Sequence, residues 1–299
     1  MRIGKLYRSL EMKLKVIVLM VRPRSIWANR LAELSLVQRD SSLPFSLEAE
    51  SLRVILMQLK EVKEYCVDTA ASNGVHSSAT YPFLKLGWGG LAVEMHPGKF
   101  SALSYVYQDL ENVVLVRQKI TPLNIVAIFD SHNVPQDFGV WNIDIDSYDL
   151  LVVKAILESD YRPTLISIEI NEKIPFSLYF TVLFNPSHHW RGDHFYGCSL
   201  AAAYEEIVPF GYQLIEVKMQ NAFFGRIDLV GNNFPKKSVR DAFQEGYLDV
   251  ENRGALFPWN KDVEYLHHLL PEDAINEIDS LFHVYSGLYE LRKSVLNDN

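Results

Sequence analysis

The chain has 299 residues, 48 % of them hydrophobic, enough for one large core with appendages. Its longest apolar run is far shorter than the roughly 18–20 residues needed to span a bilayer, so no membrane span is expected. The net charge of −8 hides an asymmetry: residues 1–24 carry seven bases and one acid, a charge of +6, and the rest carries −14. An acidic body lacks the basic surface that phosphate backbones require, which argues against a nucleic-acid partner.

The basic N-terminus surrounds a short apolar stretch, residues 16–21. It suits either peripheral contact with an anionic membrane or an ordinary element packed on the body. No small-residue cleavage site follows, so it is not read as a signal peptide, and a cytoplasmic location is expected. Apolar positions Ile26, Leu31 and Leu34, then Leu52, Ile55, Leu56, Leu59 and Val62, predict helices interrupted near Pro44. From residue 64 the pattern alternates. Strands are predicted at 64–68, 90–94, 112–117, 138–144 and 163–170, and helices at 76–86, 97–107, 122–131 and 147–159. Such alternation means a parallel sheet with helices on both faces. Residues 171–197, rich in Pro, His and aromatics, read as a long loop walling the substrate. A helix at 200–208 and a hairpin at 213–219 and 221–229 follow, giving seven strands in all. The remainder reads as loop and then helix over 271–296, a C-terminal cap or homo-oligomer contact. The expected organisation is an N-terminal basic, helical extension (1–63), an α/β domain (64–230) and a helical cap (231–299).

The most informative stretch runs from Asp68 to Glu94. An apolar strand ends at Asp68, and a turn of small residues, Ala70, Ser72 and Gly74 among them, leads towards a helix. About twenty residues later a second apolar run ends in Glu94. Strand, small turn, helix, strand and acid is how a Rossmann-like sheet holds a nucleoside, the acid accepting the ribose hydroxyls. The turn lacks the Gly-x-Gly-x-x-Gly spacing that a pyrophosphate demands. A cofactor without phosphate asks less of the backbone, which favours S-adenosylmethionine over NAD.

Residues 67–82 and 87–94 (Gly-Trp-Gly-Gly-Leu-Ala-Val-Glu) resemble the first two cofactor motifs of FkbM-like S-adenosylmethionine-dependent methyltransferases. Residues 143–149 (Ile-Asp-Ile-Asp-Ser-Tyr-Asp) resemble that family's segment after strand four, and 168–171 (Ile-Glu-Ile-Asn) its strand-five end. Residues 211–215 and 221–229 resemble its closing hairpin. The resemblance covers about residues 64–230, in order. It implies a seven-stranded class I methyltransferase sheet. It also implies S-adenosylmethionine held by Asp68, Ala70, Ser72, Gly74 and Glu94, with adenine near 117–124, where Thr121 and Asn124 are candidates. The acceptor would be a hydroxyl of a small molecule or saccharide. Ser147 stands where the family usually has glycine, and the turn reads Thr-Ala-Ala-Ser where a glycine is commoner. A methyltransferase-fold binding protein without catalysis is the alternative.

Asp144 and Asp146 fall at the carboxyl end of strand four, and Glu169 and Asn171 at that of strand five, where ligands sit in open parallel sheets. One reading is a hard divalent cation such as Mg²⁺ on Asp144, Glu169 and Asn171, resembling metal-dependent catechol and sugar O-methyltransferases. A second makes Asp144 or Asp146 a general base without metal. A third has these acids cap the following helix. The run from His188 to His194 holds three histidines and an aspartate. His189 is the candidate catalytic histidine, with Trp190, Phe195 and Tyr196 stacking on a ring-shaped acceptor.

Overall fold

The computed structural model describes residues 46–76 and 78–296. The basic N-terminus and the helix expected between residues 25 and 45 lie outside them. The first described element, α1 (Leu47–Leu56), is started by Ser46, whose hydroxyl accepts the Ala49 amide at 3.1 Å. Its Ala49, Leu52 and Ile55, three residues apart, are buried on one face.

Five parallel strands then alternate with helices: β1 (Tyr65–Thr69), α2 (Tyr81–Lys85), β2 (Gly89–Val93), α3 (Pro97–Val106), β3 (Val113–Val116), α4 (Ile125–Ser131), β4 (Val140–Ile143), α5 (Asp149–Leu157) and β5 (Leu165–Glu169). After β6 (Leu178–Val182) and α6 (Leu200–Ile207), the hairpin β7 (Tyr212–Lys218) and β8 (Asn221–Arg226) closes the sheet. The order is β3-β2-β1-β4-β5-β8-β7, with β8 antiparallel to both β5 and β7. This is the expected Rossmann-like, seven-stranded arrangement.

Side chains alternate across a strand, so each strand serves two cores. Val67, Leu91, Trp141, Ile143 and Ile166 face a large core completed by α4, α5 and α6. Cys66, Ala92, Val140 and Leu165 face a smaller one with Leu52, Phe83 and Leu103 from α1, α2 and α3. Both cysteines, Cys66 and Cys198, are free and buried.

Three expectations needed correction. The helix predicted at 76–86 forms only at Tyr81–Lys85, because Asn73 and Ser78 turn the preceding chain. The Asn73 side chain accepts the amides of Val75 and His76, and the Ser78 hydroxyl those of Thr80 and Tyr81. The long loop contains a strand, β6, buried throughout. The helix expected over 271–296 stops at Leu281. The chain then forms β9 (Tyr289–Lys293), antiparallel to β6, with Leu178 opposite Lys293 and Val182 opposite Tyr289. Strand β6 has no polar–apolar alternation because both its faces are covered. Strand β9 is written in helix-forming Leu, Glu, Arg and Lys, and tertiary pairing overrides that propensity.

Candidate functional site

At the carboxyl end of β1 the backbone takes a sharp, strained course. Ala70, Ser72 and Gly74 all lie at positive φ, at 104°, 50° and 82°. The amides of Ala70 and Ala71 both donate to the Val93 carbonyl, which ties the turn to the end of β2. A side chain at Gly74 would meet Leu103 Cδ1 and Tyr107 Cε1, each 2.6 Å from the Cβ position. Glycine is therefore required there both for its dihedral and for space. Strain of this kind persists where surrounding structure enforces it, commonly at ligand sites.

Asp68 is buried at the head of this turn. One oxygen accepts the Thr80 hydroxyl at 2.7 Å and the other the Asn142 amide at 3.3 Å. Burial raises its pKa, those two hydrogen bonds oppose the rise, and the negative charge of Glu94 adds to it. Glu94, 5 % exposed at the end of β2, accepts the His96 amide at 2.6 Å. Both predicted acids thus stand at the same edge of the sheet, flanking the turn. Asn124 has a local task instead: its side chain accepts the Thr121 amide and donates to the Lys119 carbonyl.

The second group lies at the ends of β4 and β5. One carboxylate oxygen from each of Asp144, Asp146 and Glu169 falls within 4.8 Å of the others. Asp146 has left-handed backbone, φ 53°. Burial first, then the charges of Asp146 and Asp149, raise the pKa of Asp144 to about 7. Glu169, 8 % exposed, is pushed well above the carboxylate range by burial and by repulsion from Asp144 and Asp146. Asp146 is also raised by burial, against the opposing pull of Lys99 and Lys173.

Neither Asp144 nor Asp146 caps the following helix, whose N-cap residue Tyr148 makes no side-chain capping bond. The fully buried Asp149 accepts the amides of Ile145 and Ser147 at 2.7 and 3.0 Å, shaping the loop that presents Asp144 and Asp146. Asn171 does not supply a free amide to the acid group. Its side chain donates to the His194 and Tyr196 carbonyls at 2.8 and 3.0 Å and accepts the Lys173 amide, so it anchors the loop.

The histidine-rich loop is clasped at its root. Lys119, just beyond β3, donates to the carbonyls of Pro186 and His188. Phe195 stacks on Tyr285 with centroids 4.0 Å apart, and Tyr285 donates to Asp193. Phe195 and Tyr196, 1 % and 3 % exposed, are core residues rather than stacking surfaces for an acceptor. Trp190 stays exposed, with its indole N–H held by the Asp193 carbonyl at 2.8 Å. His189 is exposed beside it, whereas His188 is buried and its pKa is lowered by that burial.

Sequence reasoning missed a buried polar hub directly after β5. Glu172 is fully buried and accepts hydrogen bonds from Tyr196 Oη (2.7 Å), Asn260 Nδ2 (2.6 Å) and Gln220 Nε2 (3.3 Å). Lys173 pairs with Glu172 at 3.2 Å and donates to Tyr196 Oη at 2.6 Å. Asn260 also donates to Tyr247, so the C-terminal segment is locked to the end of β5. The adjacent acid and base at 172 and 173, directly after the apolar strand β5, were the available signal.

No protein-family model matches the sequence, and no curated protein does. Solved structures with a similar fold include the N-terminal domain of EvdMO1, crystallised in the presence of SAH and D-fucose. It is 12 % identical over 62 % of this chain and 84 % of that one, with a TM-score of 0.40. DesVI from Streptomyces venezuelae is 12 % identical over 65 % and 95 %, TM-score 0.37. An S-adenosylmethionine-dependent methyltransferase from Aquifex aeolicus is 11 % identical over 67 % and 96 %, TM-score 0.36.

Proposed function

We propose that the chain is an S-adenosylmethionine-dependent O-methyltransferase of FkbM-like type, acting on a hydroxyl of a small molecule or saccharide. The observation that carries this reading is the strained turn at Ala70–Gly74, set between buried Asp68 and buried Glu94 on a sheet of this topology. The turn exposes backbone to a nucleoside without the glycine spacing a pyrophosphate needs. Glu94, with one oxygen on the His96 amide, offers the other to the ribose hydroxyls. Asp68 holds the turn closed through Thr80 and Asn142.

S-adenosylmethionine supplies a methyl group on a sulfonium sulfur. The chain's own task is to hold the acceptor oxygen in line with it and to remove the hydroxyl proton, since alignment provides much of the rate. Asp144, with a pKa raised to about 7, is matched to taking a proton near neutrality. In the alternative with a divalent cation such as Mg²⁺ on these acids, the ion would promote the proton loss by lowering the hydroxyl's pKa, and Asp144 would serve as its ligand instead of as the base. Trp190, exposed and with its indole N–H on the Asp193 carbonyl, would stack on a ring-shaped acceptor. The test is transfer of labelled methyl from S-adenosylmethionine to a panel of saccharides and small-molecule alcohols. Asp144→Ala should abolish transfer and leave cofactor affinity within a few-fold. Transfer at the wild-type rate would refute the assignment of the acid.

A further inference from the structure

The loop that carries Asp144 and Asp146 is held from two sides. Within it, Asp149 accepts the amides of Ile145 and Ser147 at 2.7 and 3.0 Å. From outside, the Gly197 amide donates to the Ser147 carbonyl at 2.7 Å. Asp146 lies between these anchors with left-handed backbone, φ 53°. A non-glycine residue keeps that conformation where its surroundings impose it. What fixes Gly197 therefore helps to fix Asp146.

Gly197 belongs to a short strut, residues 194–198, pinned to the end of β5. The Asn171 side chain donates to the carbonyls of His194 and Tyr196 at 2.8 and 3.0 Å, and the Asn171 backbone amide to that of Cys198 at 2.7 Å. The Tyr196 side chain adds a further tie. Its hydroxyl donates to Glu172 at 2.7 Å and accepts from Lys173 Nζ at 2.6 Å and Gln220 Nε2 at 3.2 Å. Two of these bonds involve a charged partner, and charge-assisted bonds are the stronger kind. Lys173 is 4 % exposed, and among the described residues no other lysine or arginine is buried. A buried polar cluster whose members pair with one another rigidifies the chain around it.

We propose that Tyr196 is a positioning residue for the acid pair. Lys173 and Glu172 fix its hydroxyl, its backbone carries Gly197, and Gly197 sets the loop that presents Asp144 and Asp146. Glu172 also accepts from Asn260 at 2.6 Å, so the C-terminal segment backs the same support. Tyr196 thus acts through the strut, away from any reacting atom, which accounts for an aromatic residue of this loop being buried. The bearing of this device on catalysis rests on the methyl-transfer reading; the mechanical link does not.

Amide hydrogen exchange in the full chain, read by nuclear magnetic resonance, tests the link. Tyr196→Phe removes one oxygen and keeps the ring in the core. The amides of Ile145, Ser147 and Gly197 should then exchange at least about tenfold faster, with those of β2 unchanged. Gln220→Leu removes only one donor to the hydroxyl and should speed the same three amides about threefold. It decides in the same way if Tyr196→Phe does not fold. Unchanged exchange at the three amides overturns the proposal, and so does an equal rise in β2, which would make the hydroxyl a general prop of the fold. In the labelled-methyl assay, Tyr196→Phe should lower kcat at least about tenfold and leave S-adenosylmethionine affinity within about twofold, since a displaced acid spoils alignment rather than cofactor binding. Faster exchange with unchanged kcat also overturns the assignment. If wild type transfers no methyl group, the methyl-transfer reading falls, and the exchange pattern still decides whether Tyr196 positions the acids.

Discussion

The Thr80 hydroxyl donates to the Asp68 carboxylate at 2.7 Å inside the protein, twelve residues along the chain. That bond closes the segment between β1 and α2 over its own strand end and fixes the turn at Ala70–Gly74. With Asn142 holding the other oxygen, Asp68 joins β1, β4 and the entry to α2. Asp68 is therefore best understood as the residue that shapes the turn at Ala70–Gly74.

Gly74→Ala should destabilise the protein by about 1–3 kcal/mol, because the added methyl must displace Leu103 and Tyr107 and adopt φ 82°. Urea titration reads the loss. Cofactor affinity should fall with it, and an unchanged midpoint would show that the turn is not rigid.

Removal of the Glu172 charge should be costly in a diagnostic way. Glu172→Gln leaves Lys173 buried without its carboxylate, at a cost of about 3–5 kcal/mol. The double variant Glu172→Gln with Lys173→Met should recover part of that loss. Additive losses in denaturant titrations would show that the two residues are not energetically coupled.

The pKa values of Asp144 and Asp149 are raised in the folded protein, to about 7 and about 6. A raised carboxylate pKa means that folding favours the protonated form. The associated stability is fully present below the unfolded-state pKa and is lost as pH rises through the folded values. In chelator-treated protein, Tm should therefore decline from about pH 4, where the unfolded carboxyls ionise, to about pH 7, and level off above it. Asp144→Asn should flatten the decline, so its Tm advantage over wild type grows with pH. A pH-independent difference would contradict the assignment.

Truncation after Gly287 deletes β9 and bares the edge of β6, with the fully buried Leu178, Phe180 and Val182 behind it. The shortened chain should aggregate or lose its cooperative melt, as an exposed apolar edge strand predicts. A soluble, cooperatively folding product would show β9 to be dispensable.

The parallel half of the fold was legible because its strands are short apolar runs ending in acids or turns, as at Asp68 and Glu94. The edge at 144–146 and 169 was legible for the same reason, since strand ends predict which residues share a sheet edge. Partners set by tertiary contact were not. Strand β9 carries a helix-like composition, and Asn171 looked like a ligand until the loop carbonyls that occupy it were in place. Phe195 and Tyr196 read as exposed stackers because the sequence does not show that Tyr285 and Glu172 reach them.

Calorimetric titration of the full chain with S-adenosylmethionine tests the central claim most directly. The account predicts saturable one-to-one binding, competition by S-adenosylhomocysteine, no binding of NAD, and at least about tenfold weaker binding in Glu94→Ala, the loss of roughly 1.4 kcal/mol of ribose contact. No heat of binding with S-adenosylmethionine, or equal affinity in Glu94→Ala, would contradict it.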